Sequence, residues 1–517
     1  MLAGCGDDDN GGSSPTTGAS PAATGSAPAG STATASAVTP SGNLNIAING
    51  LPPTLDPHRT SGGGYFPYNW EAFEGLLSRD DNAKIVPGLA TSFEYNPDST
   101  ELTLKLRQGV QFHNGDAFSS EDVVFSLERM RTAEFKMAYA PNFARITAVE
   151  TPDASTVKFK CSAPFPELHQ LLDSYFYVAP KKYLSTGSNA SSFGTTPVGT
   201  GPYKVSQFAV DQAITFEAFD GYWGTKARTK KVVLRNLPEA STRTSALQSG
   251  EVDLIWGIPP QFLEQIKGNS GLSLNQTPAV RVQFIMLNLR GQGNAAFKDV
   301  RVREAMNLAI NRDQIAKVVF GGGATPGGWF APKGLVGYKQ TDPYKYDAKR
   351  AKDQLVAAGF GDGLQIDALA YSTGSPEAMY NGVIADWAKV GIKSTNRPLG
   401  ADFVDVLLSH AAPMIATQSQ NVTYDGGADL IRWLKTTGAY SISDGSLDAD
   451  IDKAATAGGA ARETALESVF QKVYDQFLVI PIVEDGNVFA YRKAAIKEWP
   501  QILGWPYPRG YGRIVRA

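Results

Sequence analysis

Cysteine and histidine are scarce in this chain of 517 residues, with two of the first and four of the second. If Cys5 is set apart at the start, Cys161 has no partner for an intrachain disulfide. There is no Cys-x-x-Cys, and no two of His58, His113, His169 and His410 stand at metal-ligand spacing, so no metal site is expected. Charge of one sign is lacking too. With 48 basic against 51 acidic residues the net charge is -3, and nothing forms an electrostatic footprint for nucleic acid. No run of 18 apolar residues occurs, so no helix is expected to span a bilayer. A Gly-x-Ser-x-Gly elbow and a phosphate-cradling loop are both missing, which argues against a hydrolase and a nucleotide site. The stretch Asp448-Ala449-Asp450-Ile451-Asp452 starts like a calcium loop but lacks the glycine and the final acid that such a loop needs. It is expected to be the acidic start of a helix. These absences together predict a protein without catalysis and without a cofactor.

What is present begins with Met1-Leu2-Ala3-Gly4-Cys5. Leu-Ala-Gly-Cys is the pattern at which bacterial lipoproteins are cut and lipidated on the cysteine, so Cys5 is the expected lipid anchor. Residues 6–42 are acidic at Asp7, Asp8 and Asp9 and otherwise almost wholly Gly, Ser, Thr, Ala and Pro. Such a segment buries too little apolar surface to offset its ordering entropy and is expected to be a disordered tether. As a random coil it would reach roughly 30–35 Å. The remainder is too long for a single core, and two or three domains are expected. Its mean hydropathy of -0.20 is that of an ordinary globule.

Strand and helix periods alternate without a strict repeat. Leu44, Ile46 and Ile48 read as a strand, as do Leu102, Leu104 and Leu106 with polar residues between them. Val157, Phe159 and Cys161 share one strand face, which makes Cys161 a structural thiol. Ser119-Ser120-Glu121-Asp122 suits a helix start, with Val123, Leu127 and Met130 on one face. Asp299 to Ile310 predicts a helix, and Asn311 with Gln314 predicts the cap of the next, which ends at Gly321-Gly322-Gly323. A helix-like stretch from Phe403 to Ser409 closes on His410. The composite is α/β, with several sheets and helices packed on them.

A series of motifs carries a resemblance. Leu51-Pro52-Pro53-Thr54-Leu55-Asp56-Pro57 is followed by Phe73-Glu74-Gly75-Leu76-Leu77, then by Ile85-Val86-Pro87-Gly88-Leu89-Ala90, and by the long segment from Leu104 to Phe125. Gly199-Thr200-Gly201-Pro202-Tyr203, Gly221-Tyr222-Trp223-Gly224, Ala246 to Asp253, Val300 to Ala305 with Ala309 to Arg312, and Lys389-Val390-Gly391-Ile392 come after them. In this order the chain resembles the extracytoplasmic solute-binding proteins of peptide and nickel ABC importers, often called family 5. Most conspicuous residues of these motifs punctuate turns, so the motifs mark a scaffold rather than a site.

The resemblance implies a fold of the periplasmic-binding-protein type II: two lobes joined by a two-strand hinge, plus an extra α/β domain. Residues 43–60, 197–277 and 485–517 would form lobe I, 61–196 the extra domain and 278–484 lobe II. The hinge strands would lie near Val280 to Leu287 and Ile480 to Glu484. Expected partners are a peptide or other polar solute, ABC permease subunits, and a membrane through Cys5, with the protein a monomer. Candidate ligand residues are Tyr65 and Phe66, after Gly62-Gly63-Gly64, together with Tyr139. Trp256 is expected at a strand end facing the cleft. Arg281 and Gln283 stand on the presumed hinge strand, and Trp329 after a glycine-rich loop is expected to cap the cleft.

The segment Gln418 to Asp425 bears most on the solute. In peptide-binding relatives the matching strand pairs with the ligand backbone, and an aspartate anchors the peptide amino terminus. Gln420, Asn421, Thr423, Tyr424 and Asp425 are the candidates here. By spacing the anchor falls on Thr423, and Asp425 is the nearest acid able to replace it. Without such an anchor a buried amine would be poorly paired. The Gln and Asn groups would equally suit an uncharged solute such as an oligosaccharide. A metal chelate is a further alternative, and a sensor without transport another.

Overall fold

The computed structural model describes residues 39–59, 66–135, 137, 140–277, 281–338, 342–372, 375–400, 402–420, 423–499 and 510–517. Three sheets organise them. In Ser41–Ile48 the alternating Leu44, Ile46 and Ile48 are fully buried. Ala47 between them is buried as well, so this strand is covered on both faces, as suits one flanked by parallel neighbours. Thr229–Asn236 pairs with it on one side and Leu254–Trp256 on the other, both parallel. Antiparallel strands complete a seven-stranded sheet in the order Leu272–Gln276, Val488–Arg492, Leu254–Trp256, Ser41–Ile48, Thr229–Asn236, Ala213–Ala218, Tyr203–Ala209.

A six-stranded sheet builds the second lobe, in the order Ala324–Pro326, Val479–Asp485, Arg281–Leu287, Met414–Ser419, Leu369–Ser372, Asn396–Leu399. Arg281–Leu287 is buried at every position after Arg281, which fits a central strand. The helices that cover this sheet start where polar caps stand. Asp299 caps Val300–Leu308, and the side-chain oxygen of Asn311 accepts a 3.0 Å bond from the Gln314 amide at the head of Arg312–Phe320. Gly321 ends that helix in the left-handed region, at φ 58°. The acidic run at Asp448 opens the helix Asp448–Thr456.

The third sheet is four-stranded and antiparallel, ordered Ala90–Tyr95, Glu101–Leu106, Thr156–Cys161, Ile146–Asp153. Leu102, Leu104, Val157 and Phe159 form its buried face, over which the helix Ser120–Met130 lays Val123, Leu127 and Met130. Cys161 is half-buried at a strand end, and burial pushes its thiol up to about 11, far from a reactive thiolate.

The motifs of the sequence meet where this domain joins the first lobe. A Cβ on Gly199 would strike the Ala72 carbonyl, and one on Gly201 would lie 2.6 Å from the Glu71 carbonyl. Only glycine allows so close a backbone approach. His113 clips the same place: one ring nitrogen lies 3.0 Å from the Gly201 carbonyl, and the other accepts from the Gly199 amide at 3.2 Å. The Glu74 carboxylate accepts from the Tyr222 hydroxyl at 2.9 Å and the Trp223 indole at 2.8 Å, so two motifs far apart in the chain are partners. Glu71 accepts the amides of Gly510 and Tyr511, both at 2.9 Å, and ties the C-terminal segment to the same junction.

Candidate functional site

Two chain crossovers join the first and second sheets. One leaves Leu272–Gln276 and enters Arg281–Leu287. The other leaves Val479–Asp485 through Gly486 and Asn487 and enters Val488–Arg492. They are stitched by the Thr277 amide donating to the Asn487 carbonyl at 2.9 Å and the Asn487 amide donating to the Thr277 hydroxyl at 2.8 Å. Leu254–Trp256 and Leu272–Gln276 both pair antiparallel with Val488–Arg492, so Trp256 and Gln276 end at the same edge. That edge faces the second sheet. The strand ends on the opposite side carry Arg281, Gln418, Ser419, Glu484 and Asp485.

These ends hold a polar strip. Arg281 donates to Asp485 at 2.6 Å. Gln283 donates to the other Asp485 oxygen at 3.3 Å and to Gln418 at 3.1 Å. Gln283 is buried, so its amide belongs to this network and not to a solvated face. Glu484, beside Asp485, differs from its neighbours. It is only partly exposed, and its surroundings are the Gly328 amide, Lys333 and Tyr338. Burial pushes its carboxyl up to about 7.

The segment 418–425 is divided by the structure. Gln420 follows the strand and is half-buried. The Thr423 carbonyl accepts from Arg79 of the extra domain at 3.1 Å, and the Arg79 guanidinium lies 4.3 Å over the Tyr424 ring. Tyr424 takes φ 58°, uncommon for a residue with a side chain. Asp425 caps the helix Gly426–Leu434 by accepting the Gly427 amide at 2.8 Å. It also accepts from Arg462 at 2.7 Å and 3.1 Å. Both oxygens are spent, so the expected replacement anchor for an amine is a structural cap. The reason lies in a neighbour that spacing does not show: Arg462 arrives from the helix Gly459–Asp475.

Other expected residues are placed as follows. Trp256 is half-buried at its strand end and stacks on Tyr511, with centroids 6.4 Å apart and planes at 13°. Trp329 does not cap a cleft. It is 3 % exposed, 4.9 Å from the Phe470 ring and 5.6 Å from the Tyr338 ring, a core side chain of the second lobe. The glycine-rich loop before it folds back against Ile482 and Val483, which carries the indole inward. Phe66 opens the short helix Phe66–Asn69. Tyr65, Tyr139, Asn421 and Cys5 lie outside the described residues.

Arg79, Glu167, Arg462 and Glu484 were not expected. Arg462 left a signal, since a cation stands on the apolar stripe of Leu466, Val469, Phe470 and Val473. Glu484 and Asp485 left another, as acids closing the apolar run from Leu478 to Val483. Arg79 left none. A crevice of about 580 Å³ along the extra-domain junction is lined by Glu74, Tyr222 and Trp223, which already hold one another. Among the described residues no group of three or more His, Cys, Asp or Glu could hold a metal ion, and no helix is long and apolar enough to cross a membrane.

A profile described as "Bacterial extracellular solute-binding proteins, family 5 Middle" matches residues 84–441. The chain belongs to this family. Its members are solute-binding proteins of ABC importers, and this chain is one of them. The dipeptide-binding protein of Escherichia coli K12 is 29% identical over 382 residues, spanning 68% of this chain and 70% of that one. A glutathione-binding protein of Pectobacterium atrosepticum is 30% identical over 323 residues, 62% of this chain and 61% of its own length. In solved structures the fold is that of Helicobacter pylori DppA with the peptide STSA, at a TM-score of 0.80, 23% identity and coverage of 92% of this chain and 98% of that one. Campylobacter jejuni NikZ with Ni(L-His) follows at a TM-score of 0.78, 21% identity and coverage of 91% and 99%. The periplasmic-binding-protein type II fold with its extra domain is therefore present.

Proposed function

We propose that this family 5 protein captures a polar solute between the facing edges of its first and second lobes and hands it to ABC permease subunits. One observation carries the reading: two sheets joined by paired crossovers present Trp256 on one edge and the strip Arg281–Asp485–Gln283–Gln418 on the other. Closing such edges on a guest excludes water and strengthens each polar contact inside. Residues 43–60, 197–277 and 485–517 act as lobe I, 61–196 as the extra domain and 278–484 as lobe II. The protein does no chemistry. Burial holds His58, His113 and His169 down to about 4, and the Cys161 thiol is raised, so none serves as a base or nucleophile near neutral pH. A lipid on Cys5 tethers a monomer at the membrane.

For the solute, the strip is charge-compensated within itself, which favours a neutral or zwitterionic guest. Glu484 is the acid left to receive an ammonium group. A peptide or a chelated amino acid fits this description, as the dipeptide and nickel–histidine relatives suggest. An oligosaccharide is the second reading, because Asp425 is committed to Arg462 and the helix cap. The test is calorimetric titration of the chain with di- to pentapeptides, nickel–histidine and maltodextrins. A fit to the first reading is micromolar binding of peptides or the chelate that is lost on Trp256→Ala. Binding of sugars alone selects the second. No binding by any of the three classes would remove both.

A further inference from the structure

The extra domain touches the second lobe through buried arginines, and the pattern of their partners is unusual. Arg79 keeps Asp173 on its own side at 2.8 Å and reaches across to the Thr423 carbonyl and the Tyr424 ring. From the other side Arg462 keeps Asp425 at 2.7 Å and reaches across to Glu167 at 3.5 Å. Glu167 in turn keeps Arg145 on its own side at 3.3 Å. The three charges that cross, Arg79, Arg462 and Glu167, thus each have a partner within their own body as well as a contact in the opposite one. Separating the bodies breaks the crossing contacts but leaves no buried charge bare. That removes the large penalty that usually makes a buried ion pair irreversible.

We propose that this two-sided arginine network is a releasable latch that holds the extra domain against the second lobe and sets how often the solute cleft is open without a solute. The inference rests on the lobe-closure reading above. Release breaks the Arg462–Glu167 and Arg79–Thr423 contacts, the arginine–aromatic contact at Tyr424 and the bond between Tyr175 and Arg432, while each crossing charge keeps its partner on its own side. A latch that favours the closed form opposes solute entry, yet after entry it supplements the solute's own contacts. It therefore trades entry rate against retention. Its position fits that role. Thr423 and Tyr424 come a few residues after the strand end that carries Gln418 and Ser419, so solute and latch share one stretch of sequence.

The test uses the full chain as wild type, Glu167→Gln, Tyr424→Ala and the double variant. Small-angle X-ray scattering without solute reads the closed and open populations. Hydrogen exchange of strands Glu101–Leu106 and Arg281–Leu287 reports whether each body remains folded. The expected result is a compact wild type, a double variant whose open population rises about tenfold or more, and unchanged protection of both strands. The latch is overturned if the unliganded wild type is as open as the double variant, or if the double variant stays as compact as wild type. The two failures are distinguishable. Should peptides or nickel–histidine compact wild type and variant alike from equal starting populations, closure stands and the latch falls. Should scattering stay constant across all variants and all probes, closure itself falls. Lost protection of either strand in the double variant is resolved by the milder Glu167→Gln, which keeps shape and removes one charge. If it leaves the open population unchanged, the proposal fails.

Discussion

The extra domain has two junctions, and they are built from opposite materials. Against the first lobe it uses glycine-permitted backbone contact, a neutral histidine clip and a carboxylate filled by two aromatic donors. Against the second it uses arginines, carboxylates and one buried backbone carbonyl. Close backbone packing has no half-open state, because displaced atoms lose their dispersion partners outright. Desolvated charge pairs stand close to break-even, since attraction barely exceeds the desolvation cost. On the proposed reading the first junction makes extra domain and first lobe one rigid body, and the second lets that body part from the other lobe.

Acid gives the largest expected effect on this contrast. His58, His113 and His169 have folded-state values near 4 against 6.5 for a free ring, because burial disfavours their charge. Each contribution is fully present above pH 6.5 and is lost as pH falls from there through about 4. At roughly 1.4 kcal/mol per unit, up to about 3 kcal/mol per ring is at stake. Denaturant titrations at pH 7 and pH 4.5 should show this loss, and His113→Asn should reduce it. Equal stability at the two values would mean that the fixed junction is not held by the neutral ring of His113, His169 lying beside Arg79 and Arg462 at the other junction.

Next comes Gly199→Val, which forces a side chain into the Ala72 carbonyl. It is expected to cost about 3 kcal/mol and to expose the junction to limited proteolysis. A melting temperature within two degrees of wild type, roughly the scatter of a neutral surface change, would contradict it. Glu167→Gln on the other junction removes one member of a buried network and is also expected to destabilise, but unlike Gly199→Val it should raise the open population. If the two substitutions change the open population equally, the distinction between the junctions is lost.

Two smaller effects concern the cleft. Trp256→Ala should weaken solute affinity about tenfold and release the stacked Tyr511, read by calorimetry and by tryptophan emission. Glu484→Gln should abolish a pH dependence rather than affinity at large. Cationic solutes should bind several-fold more tightly as pH rises through about 7, where Glu484 ionises, and the variant should show no such slope. A slope retained in the variant would assign it elsewhere.

Local patterns reached the elements but not their partners. The caps at Asp299 and Asn311, the strand alternation around Leu44 and Leu104, and the acidic helix start at Asp448 are all legible within a few residues, because capping and periodicity are short-range. Asp425 shows the limit. Its spacing suggested a free anchor, yet its carboxylate is consumed by an arginine 37 residues away. Trp329 shows it again: a tryptophan after glycines looks mobile until its loop folds onto the sheet. What the amino-acid order determined alone was the family and the α/β class. Only tertiary structure decided that Asp425 is taken by Arg462 and a helix cap, that Trp329 lies in a core, and that Arg79 and Arg462 reach across one junction. The physical reason is that a charge's role depends on what lies within a few ångströms of it, and here those neighbours come from distant parts of the chain.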